Sequence, residues 1–282
     1  MVDAPTGSTR VAAVIGSPVR HSLSPVIHNA AFAALDLDWT YLAFDVAAGD
    51  AWAALQAMRT LRIGGLSVTM PHKADVAEAV DRLSPHAAAL AAVNCVAWDQ
   101  GELVGHNTDG AGFVDSLRHD AGIDVAGRSC FVVGAGGAAR AVVHALADAG
   151  AVEVVVANRT QSKALTAAAL AGEVGRIGQR SEVGDADIVV NATSMGMAGT
   201  PAEAALPVEV SRLHSGQVVA DLVYHPMRTP LLDAADQTGA VTVGGVGMLV
   251  HQAAAQFSLW TGEPAPLDAM FEAVNRSLER SA

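Results

Sequence analysis

Lys73 is the residue whose type and position most directly suggest chemistry. It lies in Ser67–Lys73, directly after the apparent end of a strand at Gly65–Val68, and Pro71 is expected to be the first residue of a helix running through Val80. The helix dipole disfavours a cation in the first turn by up to about 1 kcal/mol. A lysine destabilised in its charged form is a candidate proton-transfer group at neutral pH. A solvated lysine that tolerates a weak penalty explains the segment alone equally well.

A glycine-rich segment follows the apparent strand Cys130–Val133 and opens a helix expected to reach about Gly150. It comprises Gly134, Ala135, Gly136, Gly137, Ala138 and Ala139. This is the pattern G-x-G-x-x-G/A, which gives a tight turn, close backbone approach to a pyrophosphate and close packing of helix on strand. A turn without a ligand is the alternative. Because strand, motif, helix and next strand occur in the required order, we predict a dinucleotide site.

The end of the next apparent strand, Val152–Ala157, bears on the choice of cofactor. An NAD site usually has Asp or Glu near this point, whereas Arg159 stands there, with Lys163 about one helical turn further on. Two cations beside a ribose suit a 2′-phosphate, so we predict NADP. The alternative is a surface Arg159 beside a Thr160 that only caps a helix.

Two hydroxyl residues, Ser22 and Ser24, precede a helix expected to start at Pro25. Ser24 is a suitable N-cap before a proline, but capping does not account for Ser22. Two hydroxyls at a helix N-terminus can also bind a carboxylate. We interpret the nearby His21 and His28 as structural, because no cluster has metal-ligand spacing, and we expect no metal.

Asp109 is a third candidate, in the segment Asn107–Gly110. Thr108 can cap the helix that follows, and an acid in its first turn suits the helix dipole. From this segment alone, that structural account is at least as good as a catalytic one.

The composition excludes several classes of protein. Of 282 residues, 51% are hydrophobic and 16% charged, and no run approaches the ~18 apolar residues of a membrane span. The net charge of −12, with no basic stretch, argues against a nucleic-acid partner. Only two cysteines occur, Cys95 and Cys130, and we expect no signal peptide, so the predicted compartment is the cytoplasm. A homodimer is left open.

Short apolar runs alternate with longer amphipathic stretches, which is typical of α/β proteins. The expected strands are Val11–Ile15, Tyr41–Val46, Leu66–Val68, Cys95–Trp98, Glu102–Gly105, Cys130–Val133, Val152–Ala157, Ile188–Asn191, Val218–Leu222 and Val241–Val243. A turn at Asp99-Gln100-Gly101 is expected to join the fourth of these strands to the fifth. Expected helices include Pro25–Leu35, Asp50–Leu61, Gly110–Ala121, Gly247–Trp260 and Pro266–Leu278. Two successive sheets followed by helices predict a two-domain enzyme with a ligand cleft.

A series of segments, taken together and in order, resembles the shikimate dehydrogenase family over nearly the whole chain. The segments are GSPVRHSLSP (Gly16–Pro25), GGLSVTMPHK (Gly64–Lys73), AVNCV around Asn94, GHNTDG (Gly105–Gly110), GAGGAAR (Gly134–Arg140), ANRT (Ala157–Thr160), NATSMGM (Asn191–Met197), DLVY (Asp221–Tyr224) and GVGMLVHQA (Gly245–Ala253). The resemblance implies an α/β substrate domain over residues 1–112 and a Rossmann-type, doubly wound dinucleotide-binding domain over 113–245. The C-terminal helices, 246–282, would return to the substrate domain.

The resemblance also implies an activity, the NADP-dependent, reversible reduction of 3-dehydroshikimate to shikimate in aromatic amino-acid biosynthesis. It would assign the substrate carboxylate to Ser22, Ser24, Thr69 and Tyr224, and the ring hydroxyls to Asn94, Asp109 and Gln252. Lys73, paired with Asp109, would transfer the proton. For the cofactor, it would assign the pyrophosphate to Gly134–Ala139, the adenosine phosphate end to Asn158, Arg159, Thr160 and Lys163, and the nicotinamide side to Gly245 and Met248, with Thr193 as a further contact.

Helical spacing gives Gln252 some independent support. Leu249, Gln252, Gln256 and Trp260 recur on one helix face, so an amide lies on a mostly inward side. A glutamine that only satisfies backbone groups at a helix boundary is the alternative.

Three residues depart from those common in the family. Ser67 stands where Asn is common, Cys95 where Thr is common, and Lys163 where Arg is common. The first two keep a small side chain but change local hydrogen bonding. Lys163 keeps the charge without a bidentate fork, so phosphate recognition is expected to depend more on Arg159.

Other activities are compatible with parts of this pattern. A paralogue acting on quinate or an amino-substituted analogue is the nearest, although quinate has an extra hydroxyl near its carboxylate, and two serines there favour shikimate. Folate dehydrogenases have a similar two-domain layout but would not explain Ser22 with Ser24, or Gln252. A non-catalytic, NADP-sensing regulator would be expected to lack Lys73 or Asp109, and both are present.

Overall fold

The computed structural model describes residues 4–280, which form two compact units. The first unit combines the chain up to Thr108 with the chain from Gln252 onward, and the second is Asp109–His251. Each unit contains its own six-stranded sheet with helices around it. The α/β class predicted from the sequence is therefore confirmed. Within the described residues, no helix has both the length and the apolarity needed to cross a bilayer.

The sheet of the first unit is mixed. Its strands are β1 (Arg10–Gly16), β2 (Trp39–Asp45), β3 (Gly65–Val68), β4 (Arg82–Leu83), β5 (Cys95–Asp99) and β6 (Glu102–His106), in the spatial order β2-β1-β3-β5-β6-β4. β1 runs parallel to β2 and β3, whereas β5 runs antiparallel to β3 and β6. The predicted turn between β5 and β6 is present, with positive φ at Gln100 and Gly101, as a two-residue type I′ hairpin requires.

The helices of the first unit cover this sheet. Those in the part of the unit before Thr108 are α1 (Ser24–Ala34), α2 (Ala51–Thr60), α3 (Lys73–Ala79) and α4 (Pro85–Leu90). One core packs Leu55 and Met58 of α2 and Val76 of α3 against Ile15 and Leu66 of the sheet. Because these apolar side chains recur at helical spacing, α2 and α3 each bury one face.

The helix predicted to begin at Pro71 begins later, at Lys73. The His72 N–H donates to the Thr69 carbonyl at 3.0 Å, and this closes a turn that contains Pro71. Pro71 is therefore part of the turn, and the prediction that it is the first helical residue is wrong. Lys73 still lies in the first turn, as predicted.

The second unit has a fully parallel sheet. Its strands are β7 (Ser129–Val133), β8 (Glu153–Ala157), β9 (Gly175–Ile177), β10 (Ile188–Asn191), β11 (Val218–Asp221) and β12 (Val241–Val243), and its helices are α5 (Asp109–Ala121), α6 (Gly137–Asp148), α7 (Gln161–Ala168) and α8 (Pro230–Gln237). The order β12-β11-β10-β7-β8-β9 is that of a Rossmann sheet, with its switch point between β7 and β10. The predicted Rossmann-type arrangement is confirmed.

Two helices complete the chain, α9 (Gly245–Thr261) and α10 (Leu267–Glu279). The division between the units falls within α9, after His251, and immediately before α5. The domain boundaries expected at residues 112 and 245 therefore differ by a few residues from the divisions in the structure. The helix α5 starts before residue 112, and the helix α9 starts at residue 245 and continues past the second division. α10 packs against α1 within the first unit.

Candidate active site

Segments that carry candidate residues meet at one edge of the first sheet. β1 and β3 run parallel and end there, at Gly16 and Val68. β5 runs against β3, with Cys95 opposite Ser67, and the end of β6 lies opposite β5, with His106 opposite Cys95. The loops after β1, β3 and β6 and the segment before β5 are therefore neighbours.

Thr69 approaches the end of β1 very closely. A Cβ on Gly16 would lie 2.4 Å from Thr69 Cγ2 and 3.2 Å from the Met70 carbonyl oxygen. The Thr69 N–H also donates to the Ile15 carbonyl at 3.0 Å. Glycine at position 16 therefore permits the close contact that positions Thr69 beside the loop containing Ser22 and Ser24.

Neither Ser22 nor Ser24 caps the helix through its side chain. Ser24 is the first residue of α1, Leu23 is the N-cap, and no side chain caps the helix. The Ser24 N–H instead donates to the Ser22 hydroxyl oxygen at 3.2 Å. The prediction that Ser24 is the N-cap is wrong, because Ser22 reaches the start of the helix from two residues back. Both side chains are half-buried.

Lys73 is half-buried at the start of α3. Its backbone carbonyl accepts a hydrogen bond of 2.8 Å from the Val93 N–H, which joins the start of α3 to the segment before β5. The preceding His72 is completely buried, and its Nε2 lies 2.8 Å from the Val46 carbonyl oxygen. Since a carbonyl only accepts, Nε2 is the protonated nitrogen. These contacts fix the backbone on both sides of Lys73.

Asn94 and Gln252 are linked through Thr108. The Asn94 Oδ1 accepts from the Thr108 N–H at 2.8 Å, and its Nδ2 donates to Thr108 Oγ1 at 3.0 Å. The Thr108 hydroxyl lies 3.0 Å from the Gln252 backbone carbonyl and donates to it. Thr108 thus holds two predicted substrate residues together, a role that the capping interpretation missed. Asp109, 7% exposed, follows Thr108 directly as the first residue of α5.

A second set of buried polar groups lies beneath Gln252. The Tyr41 hydroxyl donates to Ser67 Oγ at 2.5 Å, and the Ser67 hydroxyl donates to Gln256 Oε1 at 2.5 Å. The Gln256 Nε2 then donates to Gln252 Oε1 at 2.8 Å. Both glutamines belong to α9, one helical turn apart, as their spacing predicted.

Candidate residues of the second unit lie after the carboxyl ends of its parallel strands. Gly134 follows β7, Asn158 follows β8, Thr193 follows β10, Tyr224 follows β11, and Gly245 follows β12. In doubly wound sheets, ligands bind outside the carboxyl ends of the strands. The predicted cofactor residues and Tyr224 therefore share the edge of the sheet at which binding is expected.

The glycine motif has the backbone that a pyrophosphate cradle needs. Gly134 has a φ of +121°, and a Cβ there would lie 2.7 Å from the Ala192 carbonyl oxygen. Gly136 and Gly137, by contrast, have nothing within 4 Å of an added Cβ, so open space faces the start of α6. The first glycine is thus required by the fold, and the next two leave room for a ligand at the helix N-terminus. The residues present fit a dinucleotide.

A cavity of about 340 Å³ adjoins this cradle. It is lined by Ala135, Gly136, Gly137, Arg140, Ser162, Lys163 and Thr166. Arg140 and Lys163 bring two cations to it, as recognition of a ribose phosphate requires. A second cavity of about 410 Å³ lies after β8, and its lining combines the apolar Val156 and Ile177 with the polar Asn158, Gln161, Gln179 and Glu182.

The strand end after β8 carries no acidic residue. Arg159 and Thr160 are exposed there, and the Asn158 Nδ2 donates to the Thr160 carbonyl at 3.0 Å. Thr160 occupies the N-cap position of α7 but makes no side-chain capping bond, so capping does not explain it. Arg159 and Lys163 therefore stand where an NAD site would present a carboxylate.

Comparison with known proteins decides the family. Three family models match in order, those of the shikimate dehydrogenase substrate binding domain over residues 14–96, of shikimate / quinate 5-dehydrogenase over 117–221, and of the shikimate 5'-dehydrogenase C-terminal domain over 245–274. A shikimate dehydrogenase (NADP(+)) from Moorella thermoacetica is 45% identical over 285 residues, covering 98% of this chain and 96% of that protein. The chain belongs to the shikimate dehydrogenase family.

Solved structures of the family have the same fold. Shikimate 5-dehydrogenase from Thermus thermophilus, in complex with NADP(H) and shikimate, has a TM-score of 0.88 at 36% identity, covering 96% of this chain and 100% of that one. Quinate dehydrogenase from Corynebacterium glutamicum, in complex with NAD, has a TM-score of 0.87 at 33% identity, covering 95% and 99%. Fold similarity alone therefore does not separate shikimate from quinate as the substrate.

The structure gives the surroundings of the three residues that depart from those common in the family. Ser67 is buried between the Tyr41 hydroxyl and Gln256. Cys95 is completely buried at the start of β5, where burial raises the pKa of its thiol, so it stays neutral and unreactive. Lys163 lines the same cavity as Arg140, a residue for which the sequence predicted no role. Arg140 could have been noticed as a cation in the first turn of α6, where the helix dipole disfavours one.

Sequence analysis also gave no role to Asp221, which organises the loops after β10 and β11. Its carboxylate accepts from Thr229 Oγ1 at 2.7 Å, from Asn191 Nδ2 at 2.8 Å and from the Val223 N–H at 3.0 Å. Asn191 Oδ1 in turn accepts from Thr193 Oγ1 at 2.7 Å. Burial raises the pKa of Asp221 in spite of these bonds. The sequence feature that could have revealed this role is an acidic residue at the end of an apolar strand. A carboxylate that is buried there needs hydrogen-bonding partners.

The last predicted residues lie next to these loops. Tyr224 is half-buried, and burial raises the pKa of its hydroxyl, so it stays a neutral donor at physiological pH. A Cβ on Gly245 would lie 2.4 Å from the Leu222 carbonyl oxygen, so glycine lets α9 start against the β11 loop. Met248 follows in the first turn of α9 and packs against the core of the second unit.

Proposed function

We propose that this protein is an NADP-dependent shikimate dehydrogenase that reversibly reduces 3-dehydroshikimate to shikimate. The observation that carries the proposal is the segment after β8, which has the cations Arg159 and Lys163 and no carboxylate, together with the glycine cradle. The first unit of the same chain contains Lys73, Asn94 and Gln252. Its relatives at this level of identity are named shikimate dehydrogenase (NADP(+)).

The cofactor would be held entirely by the second unit's strand ends. Backbone N–H groups at the start of α6 bind the pyrophosphate, because they point outward at the positive end of the helix dipole. Arg159 and Lys163 bind the 2′-phosphate, with Asn158 and Thr160 beside them. Thr193, Gly245 and Met248 border the nicotinamide. When bound, NADPH supplies the hydride, which these residues do not.

The substrate residues divide by chemistry. Ser22, Ser24, Thr69 and Tyr224 supply hydroxyl donors, which suit a carboxylate. Asn94, Asp109 and Gln252 supply both donors and acceptors, which suit ring hydroxyls. The chain has a net charge of −12, so an anionic substrate must be attracted by such local donors.

Lys73 transfers the proton. As the ketone is reduced, its oxygen gains negative charge, and the Lys73 ammonium gives that oxygen a proton, so that a hydroxyl forms. In the reverse direction the neutral amine takes the hydroxyl proton. The role that the family resemblance implies for Asp109 is to orient Lys73 toward the substrate. A positioned proton donor contributes roughly 10²- to 10⁴-fold to the rate.

Quinate is the second candidate substrate, because a quinate dehydrogenase shares the fold at 33% identity. Quinate carries an additional hydroxyl near the carboxylate and needs more room there. Ser22 is held against the Ser24 backbone N–H, which leaves the loop after β1 close to Thr69. We therefore favour shikimate.

The test is steady-state kinetics with shikimate and quinate, each with NADP+ and NAD+. We expect kcat/KM to be at least tenfold higher with shikimate and NADP+ than with either substitute. Comparable efficiency with NAD+ would contradict the role of Arg159 and Lys163, and comparable efficiency with quinate would contradict the substrate assignment.

We further propose a cytoplasmic protein, since Cys95 and Cys130 are both buried free thiols rather than a disulfide. The homodimer left open by the sequence remains a prediction.

A further inference from the structure

We infer that Gln256 is a positioning residue that fixes the orientation of the Gln252 amide toward the substrate, through a hydrogen-bonded chain that begins at Tyr41 and passes through Ser67. The inference rests on the proposed function, because it takes Gln252 as a substrate residue. It concerns side chains of the first unit only.

The direction of each hydrogen bond in this chain is determined by the one before it. Tyr41 donates to Ser67 Oγ, which leaves the Ser67 hydroxyl proton to donate to Gln256 at 2.5 Å. The accepting end of Gln256 must therefore be its Oε1, and its Nε2 faces Gln252. An amide nitrogen only donates, so Gln252 meets it with Oε1.

The chain is shielded from water, which would otherwise satisfy either orientation of an amide. Tyr41 and Gln256 are each 2% exposed and Ser67 is 5% exposed. Burial also raises the pKa of Tyr41, which keeps its hydroxyl a donor at every physiological pH. In this low-polarity setting a reversed amide would place two donors, or two acceptors, against each other, and an unsatisfied buried polar group is costly.

Gln256 is held on its other side as well. Its Nε2 lies 3.3 Å from Thr108 Oγ1 and 3.4 Å from the Asn94 backbone carbonyl. Both of these oxygens act as acceptors. The Asn94 carbonyl can only accept, and the Thr108 hydroxyl proton is already donated to the Gln252 backbone carbonyl at 3.0 Å. Three acceptors thus surround one amide nitrogen, and none of them tolerates a Gln256 carbonyl oxygen.

The consequence is a defined polarity at Gln252. Its carbonyl end is turned to Gln256, so the end carrying two N–H donors points the other way. A ligand group contacted by that end must accept a hydrogen bond, as a hydroxyl or keto oxygen does. An ammonium group, which has no lone pair, would be rejected there, and this disfavours amino-substituted analogues.

The test is a double-mutant cycle on shikimate oxidation, using Gln256→Met and Gln252→Leu, which remove the polar groups and keep most of the volume. We expect Gln256→Met to raise KM for shikimate about 3- to 10-fold, the loss of one hydrogen bond, with KM for NADP+ unchanged. The effect falls on KM more than on kcat, because a ring-hydroxyl contact is similar in ground and transition states. In the Gln252→Leu background, Gln256→Met should have no further effect on KM.

The matched control is Gln217→Met. Gln217 is 1% exposed in the second unit, and its Nε2 donates to the Val183 and Ala186 carbonyls at 2.8 Å. Its replacement should lower the melting temperature and leave KM for shikimate unchanged, so a loss of stability alone would not imitate the expected result.

A conservative variant, Gln256→Glu, tests orientation directly and covers the case in which Gln256→Met does not fold. A neutral carboxyl can accept from Ser67 and donate to Gln252, as the amide does. At pH 5, we expect the ratio of the variant KM for shikimate to the wild-type KM to be closer to one for Gln256→Glu than for Gln256→Met. If Gln256→Met does not fold, the KM of Gln256→Glu should lie within about twofold of the wild-type KM. A larger increase, matching Gln256→Met where that can be measured, would overturn the inference.

The outcomes separate the inference from the proposed function. If Gln252→Leu leaves KM for shikimate unchanged, the assignment of Gln252 to the substrate fails. If Gln252→Leu raises KM but Gln256→Met does not, or if Gln256→Met has the same effect in both backgrounds, only the positioning role is overturned.

Discussion

At the scale of single residues, the proposed proton transfer depends on Lys73. It is one of only two lysines in the chain, the other being Lys163. One lies in the first turn of α3 in the substrate unit, and the other lines a cavity beside the glycine cradle. The proposed proton donor and the proposed phosphate ligand are therefore both lysines, and kinetics can distinguish the two roles.

We predict that Lys73→Ala lowers kcat about 10²- to 10⁴-fold with little change in KM for shikimate, because the proton donor acts mainly in the transition state. Steady-state rates of shikimate oxidation measure this. Lys163→Ala is the contrasting change and should raise KM for NADP+. A Lys73→Ala enzyme with near-wild-type turnover would remove Lys73 from the mechanism.

The sequence singled out candidate ligand-binding residues, but not the residues that hold those side chains in place. Asn94, Gln252 and Lys73 stand out because each is a polar residue at an apolar strand or helix. The Ser67–Gln256 bond could not be predicted, since it joins residues 189 positions apart and depends on how α9 packs on the sheet. The bonds of Asp221 were missed for the same reason, because Asn191 and Thr229 lie in other segments of the chain.

At the scale of elements, the loop between β7 and α6 has glycines with different physical tasks. Gly134 needs a positive φ and a missing Cβ, whereas Gly136 has an extended backbone and open space around it. The fold requires glycine at position 134, whereas glycine at position 136 leaves room for a ligand to approach.

We therefore predict that Gly134→Ala lowers the free energy of unfolding by about 1–3 kcal/mol, because its backbone is strained and its methyl group meets a carbonyl. Gly136→Ala should leave stability almost unchanged yet raise KM for NADP+, since its methyl group would occupy ligand space. Thermal melts and cofactor titrations of both variants measure the difference. Equal losses of stability in the two variants would contradict this division.

The strands of both sheets were largely predictable because their apolar runs are clearly bounded by turn residues. The β5–β6 hairpin was also predicted, from Asp99-Gln100-Gly101. Short elements were missed, among them β4, β9, α4 and α8. Two or three strand residues carry too little periodicity to be recognised, and such edge strands form because an existing sheet offers them partners.

At the scale of the whole molecule, the buried Asp221 connects the packing of the second unit to its binding loops. Asp221→Ala leaves the donors of Asn191, Thr229 and Val223 without their acceptor, which we expect to cost about 2–4 kcal/mol of unfolding free energy. Chemical denaturation measures this cost. Asp99→Ala is the matched control, because Asp99 is an exposed partner of Arg82 and should cost less than about 1 kcal/mol.

The raised pKa of Asp221 also predicts a pH dependence. Burial is the main cause, so the folded protein holds this proton to a higher pH than the unfolded chain, whose reference value is 3.8. The contribution of Asp221 to stability is therefore complete below that value and is lost as pH rises through the raised pKa. The difference in unfolding free energy between wild type and Asp221→Asn should then decrease with rising pH. An increase would contradict the assigned direction.

The central claim is that this molecule moves a hydride between NADP+ and shikimate. The most direct measurement mixes wild-type protein with NADP+ and shikimate and follows the near-ultraviolet absorbance of reduced nicotinamide. We expect a steady rise that requires shikimate and is abolished in Lys73→Ala. No rise with shikimate, from folded protein that binds NADP+, would contradict it.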